Sequence, residues 1–176
     1  MSHPFERALP KHIHTNPHPH KPQADLSHFY VITPISNSAR YKRRYELYWY
    51  FKEMVEEAGV KLITVELQLG DRPFMVTEPN NPYHVQLRSD HEMWFKESML
   101  AQGFARAKQI DPKVGYLAWI DADCRPIRPA IRWFEETYHA LQHFQIVQMW
   151  EWLINYGPDY EPVSGKQMSF MATYAH

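Results

Sequence analysis

Two strand-like runs, FYVIT at residues 29–33 and VKLITVEL at 60–67, bracket a stretch whose apolar positions recur at helical spacing. No other feature constrains the fold as much. The first run is short, β-branched and aromatic, the texture of a buried strand. After the loop PISNSAR, residues Tyr41, Tyr45, Tyr48, Phe51, Val55 and Ala58 fall three and four apart and make one helix face. Gly59 follows, where a helix-terminating glycine belongs. The second run carries Val60, Leu62, Ile63, Val65 and Leu67. A strand, a helix-length crossover and a second strand predict a parallel pair inside an α/β sheet.

Further elements extend the same pattern. Residues 70–90 hold Pro73, Pro79 and Pro82 among turn formers and read as an irregular loop over the sheet edge. SDHE, Ser89 to Glu92, offers a capping box that opens a helix through MWFKESMLAQGFARAKQ. DPKVG ends that helix and leads into a strand, YLAWI. PAIRWFEETYHALQHF predicts another helix, with Ile131, Phe134, Tyr138 and Leu141 on one side, and QIVQMWEWL a further strand before a mixed tail. Residues 1–28 differ from all of this. They are rich in proline and histidine, lack either period, and read as an extended or disordered arm. His12, His14, His18 and His20 suit a borderline metal, with a flexible tail as the plainer reading.

Bulk composition narrows the function classes. A chain of 176 residues with 44% hydrophobic content fits one domain with a real core, here 29–176. Lys and Arg number 19 against 20 Asp and Glu, so no basic footprint argues for nucleic acid. The aromatic content of 15% could supply stacking platforms for single strands, but the balanced charge opposes that use. A single cysteine, Cys124, rules out an intrachain disulfide. Its place beside Asp123 invites a thiolate role, against the simpler reading of a packed small residue. No window reaches the roughly 18 apolar residues of a membrane span, and no signal-peptide run opens the chain. The expectation is a soluble cytoplasmic protein.

The chemistry concentrates in YLAWIDADCRPIRP, residues 116–129, where a strand-like run delivers Asp121 and Asp123 one residue apart. Like charges so close need a cation or donors. Positions i and i+2 of an extended chain point to one side, and the carboxyl end of a strand is where ligands bind in open α/β sheets. Two carboxylates without histidine or thiolate favour a hard divalent ion, Mn²⁺ or Mg²⁺, completed by water and phosphate oxygens. Such an ion bridges a diphosphate and neutralises its leaving charge. The bland alternative has Asp121 capping a turn and Asp123 pairing with Arg125 or Arg128.

At these residues the chain resembles a known group. FYVITPISNSARYKRRYELYWYF, VELQLGDRPF, VQLRSDHEMWFKESML, YLAWIDADC and ALQHFQIVQMW stand in the order seen in glycosyltransferase-like proteins of the GT-A fold, several of them viral or bacterial, and the likeness spans about residues 29–176. The resemblance implies a Rossmann-like, mostly parallel sheet flanked by helices, and a nucleotide-diphospho-sugar as ligand. It implies a nucleotide cradle at Thr33, Pro34, Asn37 and Arg40, with Arg44 one turn on facing the same diphosphate. Lys96 and Glu97 would approach nucleoside or sugar; solvated charges are the alternative for both pairs. Asp121 would contact ribose, sugar or metal, and Asp123 would be the principal metal ligand. Members of the group continue past the point matching FMATYAH, so a truncated relative is expected. Glu151, Asp159, Glu161 and His176 stand as unselected candidates for a base or ligand. Two functions compete: metal-dependent sugar transfer, and a non-catalytic structural or interaction protein, for example in a virion, on a degenerate GT-A scaffold. A protein partner or a homo-oligomer suits the second.

Overall fold

The computed structural model describes residues 23–175. The arm histidines His12, His14, His18 and His20, and also His176, lie outside the described residues. Four parallel strands form the central sheet: β1 (Phe29–Ser36), β2 (Lys61–Leu69), β3 (His84–Ser89) and β4 (Tyr116–Trp119), in the order β3-β2-β1-β4. The architecture is α/β and Rossmann-like, as the strand–helix–strand pattern predicts. β1 lies between β2 and β4, with Ile32 opposite both Ile63 and Trp119. Its run from Phe29 to Thr33 is buried on both faces, which explains why those five residues do not alternate with polar ones.

The two crossover helices cover opposite faces. Helix α1 (Lys42–Glu57) buries Tyr48, Phe51 and Val55. The Tyr48 hydroxyl meets Thr64 Oγ1 at 2.9 Å, so α1 packs on the face of β2 that carries Leu62, Thr64 and Glu66. Tyr41, which the periodicity assigns to the same face, is instead the exposed residue before the helix. Gly59 closes α1 at φ +72°, a conformation strained for any residue with a side chain. On the other face, helix α2 (Lys96–Ile110) sets Met99, Leu100 and Ala107 against Tyr30, Ile32, Ile63, Val65 and Leu67, the main apolar core. Helix α3 (Ala130–Leu141) contributes Phe134, edge-on to Phe29 with ring centroids 5.9 Å apart.

Three expectations are corrected. Residues 70–90 are not wholly irregular, because His84–Ser89 form β3 parallel to β2. This edge strand is only half-buried, and the prolines before it mask it in the sequence. Ser89 does not cap α2. Its Oγ accepts from the His91 N–H at 3.1 Å and donates to the His91 carbonyl at 2.8 Å, a local turn that competes with capping. The helix begins at Lys96, with no side-chain cap. QIVQMWEWL is a strand only at Trp152–Leu153 (β5), which pairs antiparallel with Gln167–Met168 (β6). Strand propensity needs a partner strand, and among the described residues Ile146 finds none: it is well exposed.

The chain divides into two compact units, Ala24–Tyr138 and a second that includes the residues from His139 onward, with the boundary inside α3. The second holds the β5–β6 hairpin and the short helix α4 (Phe170–Ala175). Among the described residues no helix is long and apolar enough to cross a membrane.

Candidate functional site

The strand order creates the site. From β1 the chain leaves through α1 to β2 on one side, and from β3 it returns through α2 to β4 on the other. The loops at the carboxyl ends of β1 and β4 therefore part in opposite directions and leave a crevice, the topological switch point of an open α/β sheet. A cavity of about 390 Å³ opens there. Pro34 and Ser36 line it from the end of β1, Ser38 from the loop that follows, Arg44 from α1, Lys96 and Met99 from α2, and Asp121 and Asp123 from the chain just after β4.

Local geometry delivers each aspartate. The Ile120 N–H still donates to the Ile32 carbonyl at 3.1 Å, so β4 pairing persists to the residue before Asp121. The chain then turns, with the Cys124 N–H on the Asp121 carbonyl at 3.0 Å. Both side chains reach the cavity from a turn rather than from strand alternation. The Asp121 carboxylate lies against Lys96, whose Nζ is 2.6 Å from Oδ1 and 2.8 Å from Oδ2. Asp123 is exposed and, among the described residues, makes no salt bridge. Arg128, one of its expected alternatives, pairs with Glu136 at 3.0 Å, and Arg125 lies over the Tyr50 ring at 5.0 Å. Burial, and then the negative charge of Asp123 and Asp121, pushes the Cys124 thiol up to about 12. With no metal ion beside it, the half-buried Cys124 thiol is held in its neutral form.

The remaining expected residues divide into those on the cavity and those that shape it. Arg44 Nη1 donates to the Ser36 carbonyl at 2.6 Å, which ties α1 to the β1 loop while the guanidinium lines the cavity. Asn37 is buried and closed on Tyr41, with Nδ2 on its carbonyl at 2.9 Å and Oδ1 receiving its N–H at 3.0 Å. Arg40 is exposed at φ +56°, before α1 begins, so it does not share a helix face with Arg44. Thr33 is fully buried beside Thr64, and its hydroxyl has no hydrogen-bond partner among the described residues. Glu97 is not part of the cavity lining and accepts the Trp94 indole N–H at 3.0 Å, which holds its carboxyl below the usual range.

Sequence reasoning missed Ser36, Ser38, Glu92 and Trp94, all on the cavity wall. Trp94 is 76% exposed, an unusual state for the largest apolar side chain, and it sits just before α2. The signal available was its place in MWFKESML, three residues before a glutamate able to hold the indole. Glu151, Asp159 and Glu161 belong to the second unit. There the Glu161 carboxylate accepts the Asp159 N–H at 3.0 Å, and the Glu151 carbonyl accepts the Ser169 N–H at 2.7 Å.

Chemically, the cavity offers the carboxylates of Asp121, Asp123 and Glu92, the Lys96 ammonium and the Arg44 guanidinium beside apolar side chains such as Met99. Among the described residues no three His, Cys, Asp or Glu side chains converge as a metal cluster. A pair of carboxylates still suits Mg²⁺ or Mn²⁺, which bind proteins through one or two carboxylates and take the rest of their shell from water and phosphate. Asp123 is free to serve in this way, and Asp121 would first have to release Lys96. Comparison with protein-family models, curated proteins and solved structures finds no match.

Proposed function

We propose that the chain binds a nucleotide-diphospho-sugar at the switch-point cavity and transfers the sugar to an acceptor. The observation that carries this reading is the convergence of Asp121 and Asp123 with Arg44 and Lys96 on one cavity at the carboxyl edge of the sheet. This is the edge where nucleotides bind in such folds. The start of α2, where Phe95 provides no side-chain cap, adds the positive end of a helix dipole on the same side. The resemblance of WIDAD and MWFKESML to GT-A glycosyltransferases points the same way.

In this reading Asp123 and Asp121 would hold a divalent ion, which supplies charge neutralisation at the leaving diphosphate. Arg44 and Lys96 stabilise the same developing charge from the α1 and α2 sides, as fixed donors do at leaving groups. The indole of Trp94 offers a flat surface for a ring of the ligand. Glu92 is the other carboxylate on the cavity wall and is the candidate for accepting the acceptor hydroxyl's proton.

The test is thermal melting with UDP, GDP, CMP or dTDP, each with and without Mn²⁺, using Asp123→Ala as control. A ligand at about a hundred times its Kd raises stability by roughly 2.7 kcal/mol. A shift that needs both metal and one nucleotide, and disappears in the variant, supports the donor site. No shift with any pair removes it. The second reading, a non-catalytic interaction protein, is favoured by the exposed Phe144, Ile146, Phe170 and Met171 of the second unit. It gains ground if nucleotides fail while a surface variant such as Ile146→Asp changes the oligomeric state.

A further inference from the structure

Lys96 occupies a place where a lysine is locally unfavourable. It is the first residue of α2, at the helix end whose dipole repels cations, and the next residue, Glu97, is of the type that suits that end. Asp121 offsets the mismatch: the ammonium straddles both carboxylate oxygens, at 2.6 and 2.8 Å. An ammonium on both oxygens of Asp121 occupies lone pairs that a divalent ion would also use, and its charge weakens the attraction of the carboxylate for a second cation. Lysine and metal therefore compete at Asp121.

The pair is also easy to break. The Lys96 side chain is 26% exposed and that of Asp121 46%, so water screens their attraction, and ion pairs of this kind contribute little stability. Asp123, on the same wall and without a salt bridge among the described residues, gives an arriving ion its first ligand. The four-carbon stem and compact ammonium of lysine allow a swing that a planar guanidinium would resist.

We infer that Lys96 is an exchangeable counterion. Without a divalent ion it neutralises Asp121; when the ion arrives it yields the carboxylate and turns its charge to the diphosphate beside Arg44. The inference rests on the nucleotide-diphosphate reading above and adds to it an order of events and a reason for a lysine at the start of α2.

Two measurements on the full chain test it. The first titrates Mn²⁺ alone and follows the free ion by its electron paramagnetic resonance signal, in the parent chain and in Lys96→Met, Lys96→Arg and Asp123→Asn. Removing the competing charge in Lys96→Met tightens Mn²⁺ binding by about two- to fivefold, Lys96→Arg, whose fork holds the carboxylate more firmly, binds more weakly than the parent, and Asp123→Asn loses the site. The second titrates inorganic pyrophosphate at saturating Mn²⁺, where Lys96→Met binds about tenfold more weakly. The opposite signs are the signature, since a merely structural lysine would move both in one direction or neither. If Mn²⁺ binding depends on Asp123 but is no tighter in Lys96→Met, the exchange is wrong while the metal site stands. If no Asp123-dependent binding occurs in any variant, the metal site is wrong and the exchange falls with it.

Discussion

Gly103 of α2 lies directly on Ile32 of β1, so close that a methyl group at Gly103 would overlap the Ile32 Cγ2 atom and crowd Val65. This contact sets how near α2 approaches the sheet, and through it where Lys96 and Met99 stand above the switch point. Alanine at position 103 would gain about 1 kcal/mol of helix propensity. Overpacking in a filled core costs about 1–3 kcal/mol, and this overlap, with a branched side chain in a buried strand, belongs at the upper end. Gly103→Ala is expected to lower the urea midpoint by a net loss of about 1–2 kcal/mol. An unchanged or raised midpoint would show that the helix shifts freely and does not fix the site.

Glu66 presents a different dependence. Its carboxylate is buried in β2 and accepts five hydrogen bonds: from Gln68 Nε2 at 2.7 Å, from the N–H groups of Met75, Val76 and Thr77 at 2.7, 3.1 and 2.9 Å, and from Thr77 Oγ1 at 2.7 Å. One side chain thus satisfies the backbone of the β2–β3 connection, which has no helix of its own. Glu66→Gln turns one acceptor into a donor facing donors, and lost bonds to a charged group cost about 1.5–3 kcal/mol each. The expected outcome is a loss of at least about 3 kcal/mol, with amide exchange at residues 75–77 accelerated more than at β1. Uniform acceleration across the sheet would mean that the connection is not a local unit.

At the opposite edge of the sheet from the cavity, Asp111 accepts from His28 Nδ1 at 2.6 Å, from the Lys113 N–H at 2.9 Å and from the Tyr30 hydroxyl at 3.3 Å. The bond to His28, ahead of the backbone bond to Lys113, holds its carboxyl below the usual aspartate range. A carboxylate depressed in the folded state adds stability above its unfolded pKa of about 3.9, and that stability is lost as pH falls through the folded value. Asp111→Asn should therefore be less stable than the parent at neutral pH. The gap should close progressively below about pH 4 in denaturation curves taken across the acid range. A gap that stays constant to pH 2 would assign the effect to packing.

The elements most legible in the sequence were those whose period and burial agree. β1 begins as a continuous apolar run because it is buried on both faces, β2 alternates Ile63, Val65 and Leu67 with the buried polar Thr64, Glu66 and Gln68, and Gly59 marks the end of α1 because the chain there needs a positive φ. The edge strand β3 was passed over although Val85 and Leu87 alternate with polar residues and pack on the core, since the run is short and follows Pro73, Pro79 and Pro82. Of the site, Asp121, Asp123, Lys96, Arg44 and Pro34 could be named from motif and resemblance, and the fold brings them to one cavity. Asn37, Arg40, Thr33 and Glu97 could not be sorted from them, because that division depends on a loop closed by Asn37 on Tyr41 and on the Trp94–Glu97 bond. Trp94 itself stayed hidden because a tryptophan beside an amphipathic helix ordinarily belongs to the core.

Trp94 and Glu97 give the sharpest test of how the cavity meets a ring. The indole is exposed, lines the cavity, and is held through its N–H by Glu97 at 3.0 Å, so its face is oriented before any ligand arrives. Stacking of a base on an aromatic side chain contributes about 1–3 kcal/mol, or roughly a tenfold change in affinity toward the lower end of that range. Trp94→Ala is therefore expected to weaken binding of the nucleotide found in the melting series about tenfold. Trp94→Phe should retain most of the affinity, and Glu97→Gln, which keeps an acceptor for the indole, should lose less than Glu97→Ala. Isothermal titration of the four variants with that nucleotide and with its free sugar separates the two rings that could stack. A loss confined to the nucleotide assigns the indole to the base, a loss confined to the sugar assigns it to the transferred group, and no loss with either removes Trp94 from the site.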